Sequence, residues 1–279
     1  MANEIERGVL YVVGTPIGNL SDITERAKYI LENVNFVAAE DTRVSGKLLS
    51  CYNIKNSFVS YHEHNKAQAG KAILERLQSG ETGAIVTDAG IPAISDPGED
   101  LVRLCKENGI KVIPVPGACA FVTALSASGF PSRRFSFEGF LPTDKKEMNA
   151  VLDDYKNNKK TVIFYEAPHR LAKTLETMYK AWGDRKICIA RELTKLNEEI
   201  VVTSLEDALE MYKTREPRGE HVIIVGGAEE TESESFFENM TIEEHVEFYE
   251  KQGLRKMDAI KACAKDRGVP KNEVYKYFI

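Results

Sequence analysis

Short apolar runs alternate with amphipathic stretches through the first 115 residues. Runs of four to six residues that are rich in Val, Ile, Phe and Tyr, and that end at glycine or polar residues, are typical of buried strands. The predicted strands cover residues 9–13, 36–39, 58–61, 83–87 and 110–115. Because helical patterns separate these runs, the segment predicts a mostly parallel sheet with helices on both faces.

The stretches between the strands carry apolar residues three or four positions apart, which is the helical period. Ile30 and Leu31 lie on the apolar side of one such helix, and Ser21 or Asp22 is a suitable N-cap for it. Two further helices are predicted for residues 66–78 and for about 99–107.

The alternation restarts after Pro116 and Gly117, which predicts a second sheet. Its predicted strands cover residues 135–140, 161–165, 186–190, 199–203 and 221–225. Helical patterns cover about 118–128, 143–158 and 169–181. We therefore predict two α/β domains, 1–116 and 117–228, with the boundary near Pro116.

The remaining segment, 229–279, has an uneven charge distribution. Nine acidic residues and no Lys or Arg occur between residues 229 and 250, which predicts a solvated linker running into a helix. From Lys251 onward, eight Lys or Arg stand against three Asp or Glu. Leu254, Met257, Ile260 and Ala264 mark one apolar helical face. Gly268 to Pro270 break this helix, and Val274 and Phe278 mark a second short one. The pattern resembles a helix-turn-helix, and the alternative is a simple packing appendage.

Composition limits the class of protein. The chain is 43% hydrophobic and 29% charged, with a net charge of −6, which argues against coating nucleic acid through bulk positive charge. Five widely spaced cysteines without a C-x-x-C pair predict a reduced cytoplasmic protein rather than a disulfide framework. No apolar run approaches the roughly 18 residues of a membrane span, and the polar start of the chain is unlike a signal peptide.

Three loops that follow predicted strands hold unusual residues, and in open α/β sheets ligands bind at that edge. Gly14 to Leu20 contains glycines that allow close backbone approach to a ligand, although a plain tight turn is the alternative. Glu40, Asp41 and Arg43 follow the second strand and suit a ribose hydroxyl or a phosphate. The alternative is that Asp41 or Thr42 caps the next helix while Glu40 and Arg43 form a surface ion pair. Residues 87–98 form a twelve-residue connection, which is long enough to indicate a binding loop.

Two later loops extend the candidate site. Cys119 and Ala120 begin a predicted helix and are small enough to pack closely against a cofactor. Glu166, His169 and Arg170 follow another strand, where His169 suits a general base or, alternatively, a helix start. His62 and His64 lack an evident third ligand, so no metal site is predicted.

Together these loops resemble the tetrapyrrole-methylase superfamily and, within it, the ribosomal RNA small subunit methyltransferase I family. The matching strings, in chain order, are GTPIGNLSDIT, AEDTR, DAGIPAISDPG, PVPGACA, EGFLP, FYEAPHR and ARELTK. Each string is weak alone, but seven in order between residues 9 and 225 are specific.

The resemblance implies two α/β domains with S-adenosylmethionine in the cleft between them, a homodimer, and methylation of a cytidine 2′-hydroxyl in the decoding region of 16S rRNA. It also implies a set of cofactor contacts: Pro16, Thr87, Asp88, Ala89, Ile91, Cys119, Ala120, Tyr165 and Ala190. No metal is needed for this reaction.

A ribose hydroxyl is a poor nucleophile at neutral pH, so a base or a strong hydrogen-bond acceptor is expected. The candidates are Glu40, Asp41 and Glu166. Candidate phosphate contacts are Arg43, Arg170, Arg191 and Lys195.

Since the chain is acidic overall, the basic segment from Lys251 to Lys276 is expected to help dock the RNA or the small ribosomal subunit. Three other functions stay open. They are methylation of a small tetrapyrrole, DNA-binding regulation through the helix-turn-helix, and a Rossmann oxidoreductase, which the missing glycine fingerprint disfavours.

Overall fold

The computed structural model describes residues 5–228, residue 237 and residues 240–278. The first sheet has five strands in the order β3-β2-β4-β1-β5, and every neighbouring pair is parallel. The strands are β1 (Val9–Val13), β2 (Phe36–Ala39), β3 (Phe58–Ser60), β4 (Gly83–Val86) and β5 (Lys111–Val115). The predicted parallel sheet is confirmed.

Four helices connect these strands: α1 (Glu25–Asn33), α2 (Thr42–Cys51), α3 (Lys66–Gln78) and α4 (Gly98–Glu107). The predicted cap of α1 is wrong. Thr24 caps the helix by accepting a hydrogen bond from the Ala27 backbone N–H at 3.0 Å. Ser21 and Asp22 lie in a short 3-10 turn that Asn19 caps, so they precede the helix rather than begin it.

The second sheet also has five strands, but its directions are mixed. The order is β6-β7-β10-β8-β9, and only the β6–β7 pair is parallel. The strands are β6 (Phe135–Phe140), β7 (Thr161–Glu166), β8 (Lys186–Arg191), β9 (Glu199–Ser204) and β10 (His221–Val225). Around them lie α5 (Ala120–Ser128), α6 (Lys145–Lys156), α7 (Pro168–Trp182) and α8 (Leu205–Thr214).

Helix α8 was not predicted from the sequence. Its buried residues Leu205, Ala208 and Tyr212 have helical spacing, and Ser204 caps it by accepting from the Asp207 backbone N–H at 3.2 Å. The helical spacing and the serine cap could both have been recognised in the sequence.

The central strands of each sheet are buried on both faces. In β1, Val9, Tyr11 and Val13 pack in one apolar cluster and Leu10 and Val12 in another on the opposite face. The second sheet likewise divides its strand residues between two clusters. A ligand can therefore reach these central strands only at their ends. The boundary predicted near Pro116 falls between the residues of the two sheets, and the division into domains stays a prediction.

The described residues after 228 form a separate compact unit with helices α9 (Ile242–Lys251), α10 (Lys256–Asp266) and α11 (Lys271–Tyr275). Thr241 and Glu244 form a capping box at the start of α9. The unit buries Val246, Ala259, Ile260, Cys263 and Val274. Most of the predicted acidic linker lies outside the described residues.

The apolar face predicted for α10 is partly wrong. Ile260 and Ala264 are buried, but Leu254 is 38% exposed and Met257 is 43% exposed. Because α10 begins at Lys256, Leu254 precedes the helix, and the buried stripe runs through Ala259 and Cys263 instead. Across the described chain, no helix is both long and apolar enough to cross a membrane.

Candidate active site

The unusual loops meet at the ends of the strands. Because the first sheet is parallel, the loops after β1, β2, β4 and β5 all leave from one edge. In the second sheet, Glu166, His221, Arg191 and Glu199 are cross-strand neighbours, so the ends of β7 and β8 share an edge with the starts of β10 and β9.

Residues from both edges line one cavity of about 430 Å³, a size within the usual range for small-molecule sites. The described lining includes eleven of the sixteen side chains that the sequence singled out: Glu40, Thr87, Asp88, Ala89, Ile91, Cys119, Ala120, Tyr165, Glu166, Ala190 and Lys195. The other five are not in the lining: Pro16, Asp41, Arg43, Arg170 and Arg191.

The glycines of the first loop serve contacts within the protein. A Cβ atom on Gly14 would lie 2.7 Å from the Cα of Gly117, so the backbones after β1 and β5 touch. The Thr15 backbone N–H donates to the Gly90 carbonyl at 2.8 Å, which ties this loop to the one after β4. Gly14 therefore allows close approach of another backbone segment, and the approach of a ligand to this loop stays a prediction.

The loop after β4 supplies more of the lining than any other segment, from Thr87 to Asp96. Ala93 and Ser95 have positive φ angles of 65° and 63°, a region that L-residues rarely adopt. The Asp96 carboxylate holds them there, because it accepts from the backbone N–H groups of Ala93 at 2.9 Å and Gly98 at 2.7 Å. The loop lines the cavity, and its role as a binding loop stays a prediction.

Carboxylates give the cavity a negative character. Burial raises the pKa of Glu40, and the nearby charges of Asp88 and Asp96 raise it further. Burial also raises the pKa values of Asp88 and Asp96. Lys195 is the only Lys or Arg in the described lining, and its Nζ lies 2.8 Å from Glu192. The arrangement favours a positively charged ligand and disfavours a phosphate.

Glu40 and Asp41 are adjacent in sequence but differ in their partners. Asp41 caps α2 and pairs with Arg43, whose Nη2 lies 2.7 Å away, and this pairing lowers the pKa of Asp41. The N-cap alternative is therefore correct for Asp41, although Arg43 pairs with Asp41 rather than with Glu40. Glu40 lines the cavity, and no hydrogen bond to its carboxylate occurs within the described part of the chain.

The comparisons with known proteins identify the family. The family described as Tetrapyrrole (Corrin/Porphyrin) Methylases matches residues 9–209. A protein of Halalkalibacterium halodurans named Ribosomal RNA small subunit methyltransferase I is 48% identical over 98% of this chain and 95% of its own length. The Bacillus subtilis protein of the same name is 46% identical over 97% of this chain and 94% of its own length. The chain belongs to the tetrapyrrole methylase family and to the group of these relatives.

Solved structures share the fold. A cobalt precorrin-4 methyltransferase matches with a TM-score of 0.59 at 20% identity, covering 80% of this chain and 97% of that one. The Thermus thermophilus uroporphyrin-III C-methyl transferase, complexed with S-adenosyl homocysteine, matches with a TM-score of 0.56 at 17% identity. The match covers 78% of this chain and 97% of that one. The family and the fold class predicted from the sequence are confirmed.

In this tetrapyrrole methylase, Glu166 is held by internal bonds. It is 1% exposed, accepts from Thr174 Oγ1 at 2.5 Å and from the Ala167 backbone N–H at 2.9 Å, and pairs with Arg170 at 3.2 Å. Arg170 also donates to the Leu141 carbonyl at 2.5 Å. These contacts indicate that Glu166 positions the strand end.

Arg191 is also engaged within the protein, since its Nε lies 2.5 Å from Glu199, which Arg215 pairs with as well. His169 lies in the first turn of α7 and is not among the cavity residues. His62 and His64 have ring centroids 6.0 Å apart, and the described residues contain no group of three or more His, Cys, Asp or Glu arranged to hold a metal.

His221 was missed from the sequence. It lies at the start of β10, lines the cavity and is 1% exposed, yet neither ring nitrogen forms a well-shaped hydrogen bond to another described residue. Burial, together with the charge of Arg191, lowers its pKa to about 4, so the ring is neutral at physiological pH. The sequence signal that could have identified His221 is its position as the polar first residue of an otherwise apolar strand.

Proposed function

We propose that this protein transfers the methyl group of S-adenosylmethionine to the 2′-hydroxyl of a cytidine in the decoding region of 16S rRNA. The observation that carries the proposal is the identity of 40% to 48% over at least 96% of this chain to five relatives named Ribosomal RNA small subunit methyltransferase I. Solved structures that match at 17% to 21% identity support the fold alone.

The cavity residues fit the cofactor. S-adenosylmethionine carries a sulfonium and an ammonium group, and the unneutralised carboxylates of Glu40, Asp88 and Asp96 suit such positive charges. Apolar lining from Ile17, Ile91 and Leu193 suits an adenine ring. The proposed cofactor contacts within the lining are Thr87, Asp88, Ala89, Ile91, Cys119, Ala120, Tyr165 and Ala190.

The chain's own residues then orient the acceptor and remove its proton. When bound, S-adenosylmethionine supplies a methyl group on a positively charged sulfur. Glu40 is the preferred proton acceptor, because Asp41 is paired with Arg43 and Glu166 is buried among its own partners. The raised pKa of Glu40 makes it a stronger base than an ordinary carboxylate.

Apart from a contact with Lys195, the RNA phosphates are expected to lie outside the negative cavity. Arg43, 85% exposed beside the loop of Glu40, is a proposed phosphate contact, and Lys195 is proposed at the lining itself. The basic residues from Lys251 to Lys276 are proposed to dock the RNA or the small subunit. The family resemblance further supports a homodimer acting in the cytoplasm, and both are proposals.

The deciding experiment is transfer of labelled methyl from S-adenosylmethionine to small ribosomal subunits from a strain that lacks this protein. Nuclease digestion of the rRNA is expected to release labelled 2′-O-methylcytidine. Cofactor binding without incorporation into subunits or naked rRNA would contradict the proposal, and a small tetrapyrrole acceptor would then be tested.

A further inference from the structure

A bulge in the edge strand β6 brings Phe140 to the cavity. Phe135 pairs with Thr161 and Phe137 with Ile163, but the next pair joins Phe140 to Tyr165. One extra residue therefore stands in β6, and without it Gly139 would oppose Tyr165 while Phe140 lay on the other face of the sheet. The bulge aligns Phe140 with the aromatic face of β6 and places it in the cavity lining.

The bulge depends on Gly139. This residue has a φ of +64°, and a Cβ atom on it would lie 2.9 Å from Ser95 Oγ in the loop after β4. A side chain at this position would both strain the backbone and push that loop away. The EGFLP string, to which the sequence assigned no role, is therefore the segment that directs Phe140 into the site.

Other rings hold Phe140 in place from behind. Phe121 stacks on Phe137 with ring centroids 4.1 Å apart, and Phe137 meets Tyr165 edge-on at 4.9 Å. Tyr165 in turn meets Phe140 edge-on at 5.8 Å. Phe140 nevertheless stays 48% exposed, so a large apolar surface at the cavity remains open to a ligand.

The charge of the cavity indicates what that ligand is. Six carboxylates line the cavity, and four of them, from Glu40, Asp88, Asp96 and Glu220, form no ion pair with another described residue. These four disfavour phosphate, whereas a nucleobase is uncharged and has a flat π face. Unstacked RNA bases are commonly recognised by stacking on aromatic side chains.

We propose that Phe140 stacks on the target nucleobase of the RNA substrate and so holds its ribose hydroxyl at the cavity. The inference rests on the proposed function, since it requires an RNA acceptor. It assigns recognition of the base to this ring, while the cofactor contacts lie on Tyr165 and the loops further inside.

The test compares Phe140→Leu with Phe140→Trp and a matched control, Phe135→Leu. Phe135 lies on the same face of β6 and is 39% exposed, but it is not in the cavity lining. Methyl transfer to small subunits gives kcat and KM, and calorimetry gives the S-adenosylmethionine Kd. We expect Phe140→Leu to lower kcat/KM for the subunit on the order of tenfold, with an unchanged cofactor Kd. Tryptophan is expected to restore activity, and Phe135→Leu to match the wild type.

Two results would overturn the assignment and leave the proposed function in place. Wild-type kinetics in Phe140→Leu would show that the ring does not hold the base. A cofactor Kd that weakens as much as transfer would assign the ring to the cofactor instead. Failure of the wild-type protein to methylate any RNA would refute the proposed function itself, and the assignment of Phe140 with it.

Discussion

Single residues in the cavity carry electrostatic costs that the fold does not relieve. The ionised form of Glu40 is disfavoured by burial and by two neighbouring carboxylates, and His221 is buried without well-shaped hydrogen bonds for its ring nitrogens. Such unrelieved groups concentrate where a protein binds or transforms a ligand. Their effects on stability and on activity are therefore expected to oppose each other.

Replacing Glu40 with Gln is expected to lower kcat on the order of a hundredfold, because the proposed proton acceptor is lost. Because folding raises the pKa of Glu40, ionisation of this carboxylate destabilises the folded protein, and the Tm of the variant relative to the wild type should increase as the pH rises. Methyl-transfer kinetics and thermal unfolding measure the two effects. Glu32→Gln, on the exposed side of α1, is the control. Unchanged kcat in Glu40→Gln would remove Glu40 from the mechanism.

His221 is expected to make the protein acid-sensitive. Its pKa falls from 6.5 to about 4 on folding, so the unfolded chain binds the proton more readily between these values. Protonation of this ring therefore favours the unfolded chain: the folded protein keeps its full stability above pH 6.5 and loses part of it as the pH falls towards 4. The loss amounts to roughly 3 kcal/mol. Denaturant titrations at pH 7 and pH 4 should show a smaller acid loss in His221→Gln than in the wild type. Equal losses would show that His221 does not contribute.

At the scale of elements, α10 shows that an apolar residue on a helix is not necessarily buried. Ile260 and Met257 were placed on one face from sequence spacing, yet Ile260 is fully buried and Met257 is 43% exposed. Where the helix begins and which neighbours it meets decide between them, and α9 and α11 supply those neighbours.

We expect Ile260→Ala to destabilise the C-terminal unit by about 2–5 kcal/mol, because it opens a cavity among Val246, Cys263 and Val274. Met257→Ala, one turn away in the same helix, should change stability by less than about 0.5 kcal/mol. Amide hydrogen exchange in α9 and α10 reports the unit's own stability. Similar effects of the two substitutions would contradict the packing described.

At the scale of the whole molecule, charge is distributed unevenly. The chain has a net charge of −6, whereas its last 29 residues, from Lys251 onward, hold eight Lys or Arg against three Asp or Glu. The cavity itself is lined by carboxylates. We expect the cofactor to bind at the cavity and the RNA to dock on the basic segment, so that the two can be changed separately.

Replacing both Lys265 and Lys271 with Glu is expected to weaken RNA binding. The slope of log affinity against log salt concentration should become shallower by the equivalent of about one or two phosphate contacts. The cofactor Kd should stay the same. Lys71 and Lys106 are exposed in the first sheet's helices and provide the matched double control. Filter binding over a range of salt concentrations measures the slope. An unaltered slope in the Lys265 and Lys271 variant would exclude this unit from docking.

Much of the fold could be predicted because strand and helix patterns are local. All ten strands begin and end within one residue of prediction. The mixed directions of the second sheet and the exposure of Met257 could not be predicted, since each depends on which distant segments pack together. The family strings, in turn, indicated most of the cavity residues, because loops after parallel strands must share an edge.

The sequence by itself determined the strands, the family and the loops from which the candidate site is built, because periodicity and loop chemistry are properties of short segments. Only the tertiary structure decided how those side chains are used. Asp41 pairs with Arg43, Gly14 touches Gly117, and the bulge in β6 turns Phe140 into the cavity. His221 becomes a buried neutral ring for the same reason. Register and contact between strands set the partners, the burial and hence the charge state of each group.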